Sequence, residues 1–492
     1  MSGSSTTSRL RVQAVGICIA AALTTWAFGQ KTEPTSPAAP ASAVASASAS
    51  ASASASASAS ASAPAPAQQP GQPDALVERG RYLARAGDCI SCHTGPGAVP
   101  FSGGLPMKTP FGTIVSTNIT PDKTAGIGAY TEADFARALR EGVRRDGKHL
   151  YPAMPYPSFA RIGDEDMHAL YAYFQKGVTP SAATPPATDL PWPFSMRVLM
   201  LGWNFLYLDR GVYQHDTSRS AEWNRGAYLV QGLGHCGDCH TPRNGLTGGV
   251  KAGNERQGDS YLAGALIDGW LAQPLRHTGR PSVSQWSTDD TVAYLQTGRT
   301  AHTAAFGPMS QVVENSTQYM SKDDLSSIAV YLQSLGASSQ GTAATPVVSQ
   351  ATMVAAAERS ESTLKLRAGT VEGAGAMVYL NNCNACHRSN GAGANGVFPS
   401  LTGNSVVNVR DPTSLIRMVL VGSAMPSTVK SPSALVMPGF GWRLTDANVA
   451  DLLSFVRSSW GNKAEGVTAA QVAAVRKSIE STPVATSGTP VK

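Results

Sequence analysis

The sequence predicts an all-α chain of three small helical domains in tandem, joined by linkers and preceded by an export or anchor segment and an Ala/Ser tract expected to be disordered. Two observations carry that prediction. The pattern C-x-x-C-H occurs at Cys89/Cys92/His93, Cys236/Cys239/His240 and Cys383/Cys386/His387. Each copy follows a short helical segment: ERGRYLARAGDC, NRGAYLVQGLGHC and GAGAMVYLNNC. Each copy is also followed, beyond a Gly/Pro-rich loop region, by a stretch with apolar residues at i, i+3, i+4 and i+7, the period of an amphipathic helix. These stretches are Met167/Leu170/Tyr171/Phe174, Leu325/Ile328/Ala329/Leu332 and Val449/Leu452/Leu453/Val456. Self-similarity at this scale marks one structural unit used repeatedly.

In chain order, residues 1–29 read as a signal peptide or N-terminal anchor. Arg9 and Arg11 form a basic start, and Val12 to Phe28 is uncharged and mostly apolar. Ala27 and Gly29 suit a cut before Gln30. The run is close to the lower limit of about 17 residues for a bilayer span, so an uncleaved anchor is the alternative. Cys18 lies inside it, behind Ile17, which is too bulky for a lipoprotein site. Residues 30–75 are an Ala/Ser/Pro tether unable to build a core. The first domain is expected over 76–180, the second over 218–336 and the third over 366–462.

The connector 181–217 contains the apolar run FSMRVLMLGWNFLYL, too short and too charged for a span. It reads first as a helix packed between the first two domains, and second as a contact surface for a partner or the bilayer. Residues 337–365 read as an exposed linker and 463–492 as a tail with a weak helix. Ser321 and Thr445 stand where N-caps belong, with Asp324 and Asn448 three residues on.

At 492 residues the chain exceeds one ordinary core. Charged residues are only 15 % and the formal net charge is +6, with no dense Lys/Arg stripe. That excludes a nucleic-acid footprint.

Two thiols and an imidazole at this spacing admit three readings. A structural zinc site wants four ligands, and each isolated Cys-Cys-His set lacks one. A redox dithiol wants a βαβ context, which the sequence does not offer. C-x-x-C-H is also the attachment signature of c-type haem. Two cysteines three apart on one helical turn reach the two vinyl edges of a porphyrin, and the next residue presents an imidazole to the iron. Six of the seven cysteines are consumed in this way, leaving none for a disulfide. The reading is therefore three covalently bound haem c groups, with His93, His240 and His387 as iron ligands.

A thioether opposite the imidazole closes the iron and raises its potential. Met154, Met309 and Met437 each lie in a Pro/Gly-containing loop before the closing helix, at matching places in the repeat. Met107, Met320 and Met425 are the rivals, Met425 the strongest. His149, His168 and His302 do not align between repeats, and His235 has no assigned task. Pro96 and Pro242 follow their motifs closely, where a nearby carbonyl could hold the imidazole Nδ1–H. Arg243, Tyr228, Trp270, Trp286 and Trp442 are candidates for the haem edge.

With these residues in place, the chain resembles the three-haem cytochrome c subunit of bacterial membrane-bound alcohol dehydrogenases and its relatives in gluconate, sorbitol and aldehyde dehydrogenase complexes. The resemblance runs from Glu78 to about Gly461. Its most specific pieces are ERGRYLARAGDCISCHTG, FSGGLPMKTPFGTIVSTNITPD, HLYPAMPYPSF, NRGAYLVQGLGHCGDCHTPRN, FGPMSQVVENSTQYM and MPGFGWRLTDANVADLLSFVR. It implies three class I cytochrome c-like domains, with His93/Met154, His240/Met309 and His387/Met437 closing the irons. It also implies a location on the periplasmic side of the cytoplasmic membrane. The implied partners are a catalytic dehydrogenase subunit dependent on pyrroloquinoline quinone or flavin, a small third subunit, and ubiquinone. The Ala/Ser tract departs from the family pattern.

The alternatives are a multi-haem peroxidase with one open iron and the electron-acceptor subunit of a molybdenum hydroxylase. A gas-sensing module lacks an output domain. With no dinucleotide fingerprint, the chain is not expected to oxidise substrate alone.

Overall fold

Each repeat is organised around a crossing of two helices so close that a side chain cannot fit between them. The opening helix Ala75–Ala86 crosses the closing helix Asp164–Ala172, Ala221–Tyr228 crosses Lys322–Ser334, and Ala374–Asn382 crosses Asp446–Ser458. At the three crossings stand Gly80, Gly226 and Gly375. A Cβ on these would lie 2.0, 1.9 and 2.1 Å from the carbonyl oxygens of Ala169, Ser327 and Asp451. Four residues on, Tyr173, Tyr331 and Phe455 press their Cβ atoms against the same glycines.

The computed structural model describes residues 74–277, 282–335 and 349–481. The export segment, nearly all of the tether, the first part of the second linker and the last residues of the tail lie outside the described residues. The described residues belong to one compact unit, Gln69–Lys492.

The closing helices begin where the caps place them. The Ser321 side chain accepts from the Asp324 N–H, and Thr445 accepts from Asn448 in a reciprocal capping box. Their apolar stripes are buried, with Leu325, Val449 and Ala169 inaccessible to solvent. Three short antiparallel hairpins were not legible as strands: Pro106–Thr109 with Gly112–Val115, Ala265–Ile267 with Trp270–Ala272, and Gly422–Ala424 with Val436–Pro438. Three or four residues are too few for an alternation to stand out.

The apolar interior forms two clusters. One is continuous through the first two repeats, from Leu83 and Phe174 to Leu229 and Leu332. The other belongs to the third, around Tyr379, Leu453 and Trp460.

The first two repeats are also bound by an exchanged pair of polar contacts. Arg79 and Arg225, each one residue before the crossing glycine, pair with Asp166 and Asp324 on their own closing helices. Each carboxylate takes a second bond from the other repeat. Tyr228 donates to Asp166 at 2.7 Å, and Tyr82 donates to Asp324. Both carboxylates are buried.

The described parts of the segments expected as linker and tail are largely helical. Gln350–Glu358 and Glu361–Ala368 are helices that sink Ala357 and Leu366 into the cluster of the third repeat. Ala469–Ser481 is a helix whose Val472 is fully buried and whose Arg476 pairs with Asp446. In the connector, Leu199–Tyr207 is helical and packs by one side only. Asn204 is buried against Tyr156 and Trp203 donates to the Thr247 carbonyl, while Phe205 is 89 % exposed beside exposed Leu201 and Leu206.

Candidate functional site

The C-x-x-C-H motifs take one geometry three times. Each forms a single helical turn, and the histidine N–H donates to the carbonyl of the first cysteine: His93 to Cys89 at 3.0 Å, His240 to Cys236 at 2.9 Å and His387 to Cys383 at 2.9 Å. That bond puts first thiol and imidazole on one face, one turn apart. Each first cysteine is half-buried, each second one exposed, and all six are free.

The imidazoles are held by backbone. His93 Nδ1–H donates to the Thr117 carbonyl at 2.7 Å, His240 to Gln273 at 2.6 Å and His387 to Pro399 at 3.0 Å. A carbonyl can only accept, so the proton sits on Nδ1 and the Nε2 lone pair is left free to bind a metal. Burial holds all three imidazoles below their ordinary pKa, against the opposing pull of the carbonyl bond, which keeps them neutral. Carbonyl support was expected, but near Pro96 and Pro242. It comes instead from loops well downstream in the first two repeats, because the chain must fold back to reach the far edge of the ring.

Burial pushes the thiols of Cys89, Cys236 and Cys383 up to about 12. A redox dithiol needs the opposite shift, toward thiolate. Among the described residues, no three His, Cys, Asp or Glu side chains gather as a metal cluster. The zinc and dithiol readings therefore both lose their chemical basis.

The second and third motifs each open onto a cavity. One, of about 200 Å³, is lined by Cys236, Cys239, His240 and Met309, with Trp270 and Trp286 in its walls. The other, of about 180 Å³, is lined by Cys383, Cys386, His387 and Met437. At the first motif, Cys89 and Met154 border the same apolar cluster.

The rival methionines are placed too. Met320 lines the second cavity and Met425 the third. Ser423 faces Met437 across the hairpin, and Met425 lies two residues beyond Ser423, on the same face as Met437. Met107 sits in a hairpin strand. His168 pairs with Glu132, and His302 bonds Gln350 and Asp290. His235 lines the second cavity with its Nδ1 on the Leu233 carbonyl. Trp442 is exposed, Tyr228 serves the interface between repeats, and Arg243 bonds the Asp238 and Gly248 carbonyls.

Residues 373–460 match the Cytochrome c family. The chain is 49 % identical over 409 residues to the gluconate 2-dehydrogenase cytochrome c subunit of Pantoea cypripedii, covering 82 % of this chain and 90 % of that one. It is 46 % identical over 418 residues to the cytochrome c subunit of the quinone alcohol dehydrogenase of Gluconobacter oxydans, covering 84 % of each. The chain belongs to the family of dehydrogenase cytochrome c subunits.

A third relative is a nicotinate dehydrogenase subunit of Pseudomonas putida, 46 % identical over 386 residues. It shares 78 % of this cytochrome but only 30 % of its own length. As a cytochrome c, the protein binds haem c covalently. The residues fit that group. The paired thiols of the second and third motifs border cavities, and the imidazoles have a free Nε2. The walls are mostly apolar, with methionine sulfur among them.

Proposed function

We propose that this cytochrome carries three haem c groups and passes electrons from a catalytic dehydrogenase subunit to ubiquinone. Thioethers would form at Cys89/Cys92, Cys236/Cys239 and Cys383/Cys386. The iron ligands would be His93/Met154, His240/Met309 and His387/Met437. Haem c supplies a one-electron carrier at each station. The protein's part is to hold the stations close, exclude water and fix each imidazole tautomer.

One observation supports the relay above the others: the second and third cavities have a common wall, in which Thr303, Phe306 and Val406 line both. Ala86 and Asp88, just before the first attachment site, line the second cavity. The three stations are therefore contiguous in chain order, with no bulk water needed between them.

The donor is a periplasmic membrane-bound dehydrogenase oxidising an alcohol, polyol, sugar acid or aldehyde with pyrroloquinoline quinone or flavin, and a small third subunit can accompany it. A second reading makes the donor a molybdenum hydroxylase, and the match to a nicotinate dehydrogenase subunit supports a donor outside the alcohol, polyol, sugar-acid and aldehyde classes. Among the described residues, no helix is long and apolar enough to cross a membrane.

The test is purification of the native complex, haem quantification per chain and ubiquinone reduction by the donor's substrate. Three haems and a co-purifying dehydrogenase are expected. Fewer than three haems, or a complex that cannot reduce quinone, would sink the proposal. Carbon monoxide binding to one ferrous haem of the unmodified protein would favour the peroxidase alternative.

A further inference from the structure

Arg417 is a buried cation with too few partners. It belongs to the helix Thr413–Val421 of the third repeat and is only 2 % exposed. Its Nε and Nη2 have no hydrogen-bond partner. Asp268 acts on it electrostatically but makes no hydrogen bond with it. An unpaired guanidinium in the interior is costly enough to demand a counter-charge.

Its surroundings say where that charge belongs. Leu415, Met418 and Val419 of the same helix line the third cavity. Ser414 and Arg417, three apart, share another face. Ser414 Oγ accepts from the Leu271 N–H at 2.6 Å, on the hairpin of the second repeat. Arg417 lies over the Trp270 ring at 5.2 Å and crowds Gly269. Trp270 and Leu271 line the second cavity. So does Gln273, whose carbonyl holds His240 and whose side-chain Nε2 is a second buried donor without a partner. These orphans are all donors, and Arg417 meets the wall that holds Gln273 through Trp270.

We propose that Arg417, with the Gln273 amide, supplies the counter-charge for a carboxylate of the porphyrin bound at Cys236, Cys239 and His240, so that the third repeat completes the second site. This rests on the reading that haem is attached there. Arg417 acts as a positioning residue. By neutralising the carboxylate it removes an anion that would stabilise the oxidised iron, and so keeps the second haem's potential high.

The experiment is spectroelectrochemical titration of the haem-loaded full chain. The second haem's wave is identified by its loss in a chain carrying C236S and C239S. R417Q is expected to lower that midpoint by about a tenfold change in the reduction equilibrium, ~59 mV for one electron. R417K should restore most of it, and the other two midpoints should hold still. Three unmoved midpoints, or a shift confined to the third haem, would overturn the proposal.

A structure of the loaded chain gives a check independent of any variant's folding. Arg417 Nε or Nη2 should lie within hydrogen-bond distance of a porphyrin carboxylate, and any other partner there defeats the assignment. Mass analysis of the attachment peptide separates the two failures. Without haem on Cys236 and Cys239 the three-haem reading itself falls, whereas attached haem with an unmoved midpoint removes only Arg417's role.

Discussion

In the proposed ligation, methionine sulfur decides at residue scale whether an iron is closed, and both cavities offer a choice of sulfurs. Met309 and Met320 line the second, Met437 and Met425 the third. On the proposed ligation, Met309→Ala is expected to leave haem attachment unchanged, lower one potential and let carbon monoxide bind one ferrous haem. Met320→Ala should leave the carbon monoxide spectrum flat. The reverse result would transfer the ligand role to Met320. The same pair of spectra for Met437→Ala and Met425→Ala settles the third site.

Helix crossings and their polar locks set the stability of the elements. Gly226→Ala places a methyl group 1.9 Å from the Ser327 carbonyl, so the helices must part. A loss of about 3 kcal/mol is expected, read as a lowered denaturation midpoint. Little change would mean the crossing is softer than the packing implies. Asp324 is the other lever. Burial raises its pKa, but bonds from Arg225 and Tyr82 outweigh that and hold the carboxyl below its ordinary value. Since the folded value lies below the unfolded one of about 3.9, the stability it adds is present above that pH and lost as pH falls through the folded value. Asp324→Asn should therefore cost about 3 kcal/mol at neutral pH. The gap from wild type should close in strong acid, and a deficit that persists unchanged there would contradict the linkage.

At the scale of the whole molecule, two apolar clusters imply two cooperative units. Leu83→Ala and Leu229→Ala both open holes in the cluster common to the first two repeats, and Leu453→Ala opens one in the third. Each should cost about 2–5 kcal/mol. The first two substitutions should move one calorimetric transition and the last a different one. If all three move a single transition together, the clusters are thermally one body.

Much of this protein was legible in its sequence because the evidence was local. Three C-x-x-C-H turns, three i, i+3, i+4, i+7 stripes and the caps at Ser321 and Thr445 depend on neighbours a few residues apart, which helical periodicity exposes. The six thiols and three imidazoles lie where the spacing put them. What only the tertiary structure decided was long-range. The carbonyls of Thr117, Gln273 and Pro399 find their imidazoles across loops of unequal length. The exchange of Tyr82 and Tyr228, the wall at Phe306 and the unpaired guanidinium of Arg417 each join residues from different repeats. The helices at 350–358 and 469–481 carry weak local signals and owe their burial to the cluster of the third repeat. A repeat marks its own interior by its period. How it meets the next repeat depends on surface contacts between distant segments, which leave no period to read.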